Sequence, residues 1–232
     1  MRGWYRAVAA GFVAGLVLAP TAALAHEGQV IRLGSFLAGL THPVLGLDHF
    51  LAMVSVGIVS AIIGGRAIWT VPATFVAMMA VGGLLGRGDF GLGSTAIETG
   101  IAVSVILLGV VIAAQQKLEV RIAMGAVAFF GIFHGYAHGA EIPTIARPAL
   151  YAVGFLVGTA LLHLSGVVIG DVAGRYRYGR PVLRVSGAGV GLLGGLFLLG
   201  CLLYTSPSPR DHLAHRVCRL LLDKGGGGGG GG

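Results

Sequence analysis

The chain has 232 residues, 55% of them hydrophobic and 11% charged, and its mean hydropathy is +0.87. Soluble domains carry about 25% charged residues, so an ordinary soluble protein is excluded. The apolar content excludes disorder, and two cysteines exclude a disulfide scaffold. The formal net charge is +7, but between residues 26 and 200 ten basic residues stand against seven acidic ones. No basic patch with interleaved aromatics points to nucleic acid. The expected fold is all-α, an integral membrane bundle. Of the 42 glycines, eight form the terminal run Gly225–Gly232; the others are scattered through apolar stretches, as close helix packing in lipid favours.

Residues 1–25 read as a secretory signal peptide. Arg2 and Arg6 form a basic start, Val8 to Ala19 a short apolar run, and Ala23-Leu24-Ala25 an A-x-A cleavage site. Cleavage leaves a mature chain beginning His26-Glu27, outside the cytoplasm. The amine and imidazole of an amino-terminal His26 can together chelate a divalent metal.

A bilayer core takes about 20 apolar residues per helix. Six transmembrane helices are predicted, over roughly 44–63, 67–86, 95–114, 122–140, 149–169 and 185–203. With the start outside, the connectors bearing Arg66, Lys117, Arg121, Arg175, Arg177, Arg180 and Arg184 face the cytoplasm. The outer segments bear Arg32, Arg87 and Arg147. The excess of positive charge inside agrees with the cleaved start. The expected location is the bacterial inner membrane, with a periplasmic N-terminus.

Ionisable side chains in a membrane cost several kcal/mol unless paired or bound, so their positions carry the information. The first cluster is His42-Pro43-Val-Leu-Gly-Leu-Asp48-His49, with Met53 one turn below His49. Pro43 suits the first turn of a helix, and His42 before it favours extended backbone. Asp48 and His49 then fall just inside the outer end of the first span. The second cluster is Phe133-His134-Gly-Tyr-Ala-His138-Gly-Ala-Glu141. His134 and His138 are at i and i+4 and Glu141 continues their face. This span runs outward, so both clusters reach one depth on one side. Glu98, in the outer part of the third span, can join them. His163 lies deeper in the fifth span, as a second station on a path or a buried cross-helix hydrogen bonder.

Imidazole with carboxylate and no thiolate suits borderline divalent ions such as Ni²⁺, Co²⁺ or Zn²⁺. Partner carboxylates can instead orient the ring N–H groups. No P-loop is present, so no ATPase is encoded. His134-x3-His138 has Gly135 where a zincin motif needs glutamate, so a zinc hydrolase lacks its base. No prosthetic group is called for, although a His-ligated haem protein stays open as a rival.

After Gly200 the sequence changes character. Cys201-Leu-Leu-Tyr-Thr-Ser-Pro-Ser-Pro-Arg-Asp211 and the closing glycines read as translated adaptor and a poly-Gly artefact. The expected domains are therefore 1–25 signal peptide, 26–200 six-helix permease domain with its last helix reaching about 203, and 201–232 non-native tail.

The sequence resembles the HupE/UreJ family of membrane proteins associated with hydrogenase and urease maturation. The likeness rests on His42-Pro43…Gly46-x-Asp48-His49…Met53, on Phe133-His134-Gly135-x-Ala137-His138-Gly139-x-Glu141, and on the start His26-Glu27. The first motif is also similar in type to the His-x4-Asp-His signature of nickel/cobalt permeases, with one more residue in the spacing. The resemblance implies uptake of Ni²⁺, with Co²⁺ as a second cargo. It implies His42, Asp48, His49, His134, His138 and Glu141 as the functional set. His26 and Glu98 are further metal-site candidates; His163 and Met53 lie on the expected path. Expected partners are nickel-delivery or hydrogenase and urease maturation proteins. A membrane-bound nickel chaperone or sensor that does not translocate the ion is the alternative.

Overall fold

A computed structural model describes residues 34–88, 90–142 and 147–204. The signal-peptide region, His26 and the chain beyond Tyr204 lie outside these residues. Seven helices and no strand occur among the described residues. They are α1 (Gly34–Leu45), α2 (Leu47–Ile63), α3 (Ala67–Arg87), α4 (Ser94–Ala114), α5 (Val120–Ala140), α6 (Pro148–Arg175) and α7 (Gly179–Tyr204). Helices α3 to α7 are each long and apolar enough to cross a membrane, and α1 with α2 passes the same test as a pair bent by 84°.

The first span departs from expectation. It begins ten residues earlier than the sequence reading has it and breaks at Gly46, whose backbone is extended (φ −91°, ψ 114°). His42 and Pro43 are helical near the end of α1, not at the start of a helix. Pro43 has no N–H to give the Gly39 carbonyl, which weakens the turn before it, and Gly46, a poor helix former, takes the extended backbone at which the ladder stops. Asp48 and His49 consequently open α2. A Cβ at Gly46 would lie 3.1 Å from Asp48 Oδ1 and 3.2 Å from His49 Nδ1, so glycine at the break leaves room for that pair.

The bent pair is one crossing. Its contacts move steadily along α6: Gly39 meets Tyr151 and Phe155, Gly57 meets His163 and Val167, and Ala61 meets Gly170. From Tyr151 to Gly170 is about 29 Å of helix, the thickness of a hydrocarbon core. At the starting end Ser35 Oγ accepts a hydrogen bond from Arg147 N–H at 2.8 Å. A re-entrant loop would return to that end, and this pair does not.

The other helices pack as alternating crossings require. Helices α3 and α5 run parallel, with Gly131 beside Phe75, Gly135 beside Met79 and Gly139 beside Gly83. Helices α4 and α7 run antiparallel, with Gly109 facing Gly187 and Gly191 and Ile106 facing Gly194. A Cβ on Gly135, Gly139 or Gly166 would collide with a partner carbonyl; glycine lets the backbones meet at this range, where lipid supplies no hydrophobic drive. A cluster of Met53, Val56, Val71, Phe75, Met79, Val127 and Phe155 fills the centre. This fold places Ser35, Tyr136, Glu141 and Arg147 toward one end and the arginine-rich connectors toward the other.

A histidine-lined candidate metal site

Three helix ends converge at the first of these levels: the end of α1, the start of α2 and the end of α5. Each supplies histidine. His49 and His138 have ring centroids 4.1 Å apart, His42 and His138 4.9 Å, and His49 and His134 4.9 Å. His42 Nε2 lies 4.0 Å from Glu141 Oε2. Donor atoms of His42, His138 and Glu141 all fall within 4.8 Å of one another.

Burial grades along this line. The Glu141 side chain is 52% exposed and that of His42 19%. His49 and His138 are buried, and His134 is 0% exposed. Below His134 the ring of Phe75 follows at 5.3 Å, and His163 lies 5.2 Å beyond Phe75. Carboxylate and rings thus form an unbroken column from an exposed acid at one end to a buried imidazole in the middle of the bundle. His163 is 1% exposed, and neither of its ring nitrogens has a hydrogen-bond partner among the described residues.

Asp48 orients rather than merely accompanies His49. Its Oδ1 accepts the His49 backbone N–H at 2.8 Å and faces His49 Nδ1 at 2.9 Å. A carboxylate can only accept here, so Nδ1 carries the ring hydrogen, and in the neutral imidazole Nε2 carries the lone pair. This is the carboxylate–histidine arrangement that fixes a metal-binding tautomer. Phe155 and Tyr151 of α6 wall the column, with Phe155 4.2 Å from His138 and Tyr151 5.7 Å from His42.

Glu98 sits elsewhere, whereas Met53 packs in the cluster that also holds Phe75 and Phe155. Glu98 Oε2 accepts a hydrogen bond from Cys201 Sγ at 3.4 Å, on the seam between α4 and α7. Met53 is wholly buried in the central apolar cluster. Sequence reasoning missed Phe75, Phe155 and Ser104. Aromatics in an apolar run carry no signal of their own, and Ser104 was legible only as a hydroxyl inside a membrane span. Ser104 Oγ lies 2.9 Å from His134 Nε2.

Fold and site together define a polytopic helical membrane protein with a cluster of histidines near one end of its bundle. The HupE / UreJ protein family model matches residues 14–197. The chain is 41% identical over 182 residues to Protein HupE of Rhizobium leguminosarum bv. viciae, an alignment covering 78% of this chain and 92% of that protein. No solved structure matches. This chain belongs to the HupE/UreJ family.

Proposed function

We propose that the protein is a secondary uptake permease for Ni²⁺, with Co²⁺ as a second cargo, in the bacterial inner membrane, supplying hydrogenase or urease maturation. The observation that carries this reading is the column of donors running inward from Glu141 through His42, His138 and His49 to His134, graded from exposed to fully buried. A chain gains nothing in stability from several imidazoles packed together in lipid; a captured dication accounts for them. Imidazole and carboxylate are the donors that nickel and cobalt accept.

In this mechanism the ion is captured at the periplasmic end, where Glu141 and Asp48 offset its charge and His26 of the mature N-terminus assists. It sheds water stepwise as imidazoles replace it. Asp48 holds His49 with Nε2 presented. Passage beyond His134 toward His163 runs past the Phe75 ring, which touches both imidazoles. Alternating exposure of a buried site to the two sides is the usual device of secondary transporters.

The test is radioactive nickel uptake by cells expressing wild type, His49→Ala or His134→Ala at matched protein levels. Both variants are expected to lose uptake, and equal uptake by all three would reject the site. The purified protein in liposomes separates the rival: binding without accumulation inside the vesicle would make it a chaperone or sensor.

A further inference from the structure

Helix α4 contributes one polar side chain to the histidine column. Ser104 is 2% exposed, and its Oγ has two neighbours: the Ile101 carbonyl oxygen at 2.6 Å and His134 Nε2 at 2.9 Å. A serine hydroxyl owns one hydrogen. The Ile101 carbonyl is an acceptor only, so that contact consumes the hydrogen, and Ser104 Oγ faces His134 with a lone pair. His134 Nε2 must then carry the imidazole hydrogen. A neutral imidazole has one such hydrogen, which leaves Nδ1 with the ring lone pair. Nδ1 is buried and has no hydrogen-bond partner among the described residues.

We propose that Ser104 is a positioning residue that locks His134 in its Nε2–H tautomer and fixes the ring plane, so that Nδ1 is the atom offered to a divalent cation. The proposal deepens the permease reading and rests on His134 being a ligand. It makes the pocket internally complementary. Asp48 fixes His49 through Nδ1 and presents Nε2; Ser104 fixes His134 through Nε2 and presents Nδ1. The two rings lie 4.9 Å apart and nearly perpendicular, at 88°. Because the Ser104 hydroxyl is uncharged, it adds no further charge to the bundle interior.

Two measurements on the full chain in detergent test this. The first is the nitrogen NMR spectrum of ¹⁵N-histidine-labelled, metal-free protein, with His134→Gln assigning the signal. A protonated Nε2 and unprotonated Nδ1 at His134 are expected, and a protonated Nδ1 would overturn the proposal. The second is Ni²⁺ affinity by calorimetry. Ser104→Ala is expected to weaken binding by roughly 10–100-fold, the usual cost of losing a residue that orients a ligand. Ser104→Thr, which keeps the hydroxyl, is expected to restore binding to within about threefold of wild type. Unchanged affinity in Ser104→Ala, while His134→Ala is damaged, would remove Ser104 from the site and leave the permease reading standing. Wild-type affinity in His134→Ala would instead reject the site itself.

Discussion

His138 of α5 and His49 of α2 face each other with ring centroids 4.1 Å apart, and His138 also touches His42 of α1. His138 is therefore the junction between the exposed pair, His42 and Glu141, and the buried pair, His49 and His134. Removing it cuts the column in the middle. His138→Ala is expected to reduce nickel uptake at least about tenfold, and more than His42→Ala, whose side chain stands nearer the surface. Initial uptake rates at several nickel concentrations decide the order; a milder effect in His138→Ala would show that the two halves act independently.

On the proposed permease reading, His163 is the residue that can separate binding from passage. It lies beyond Phe75, away from the capture residues. His163→Ala is expected to leave nickel affinity within about threefold of wild type while lowering accumulation in proteoliposomes severalfold. Loss of both together would place His163 in the capture site.

Asp48 makes two contacts with one residue, and its variants grade them. Asp48→Asn keeps an oxygen that accepts the His49 N–H groups and loses the charge; Asp48→Ala loses both. Nickel affinity is expected to fall in the order wild type, Asp48→Asn, Asp48→Ala. Equal values for the two variants would mean that charge alone matters.

The α3–α5 contact makes a prediction about stability. A side chain at Gly135 would collide with the Met79 carbonyl, whereas Gly125 on the same helix has no atom within 4 Å of a Cβ position. Gly135→Val is expected to cost about 1–3 kcal/mol through overpacking, read as a lowered melting temperature in detergent. Gly125→Ala is expected to be neutral or stabilising by about 0.5 kcal/mol, because alanine is the better helix former. Similar behaviour of both variants would contradict this packing.

The arrangement of connectors can be read from outside the cell. A cysteine at Arg147 is expected to react with a membrane-impermeant maleimide in intact spheroplasts, and one at Arg180 only after lysis, each introduced into a chain with its native cysteines replaced. The reverse pattern would invert the bundle and put the histidine column on the cytoplasmic side.

The sequence by itself determined the membrane class, because runs of about 20 apolar residues have few other stable homes. It also determined the extents of α3 to α5 to within two residues, while α6 and α7 each run six residues further into their shared connector than hydropathy shows; and it determined the family and the shared depth of two distant clusters, since alternating crossings bring the start of the first span and the end of the fourth to one side. Tertiary structure alone decided the rest. The break at Gly46 turned His42 and Pro43 into the end of one helix; hydropathy, blind to the direction of a helix axis, saw a single apolar run. Which helices touch was set by glycines that must oppose a close backbone on a partner, a condition on two segments at once. The same holds for Glu98, which meets Cys201 on another seam, and for Ser104 and Phe75, whose contacts with His134 exist only in the fold. Hydrophobicity fixes depth along the membrane normal, but steric fit between chosen neighbours fixes position around it.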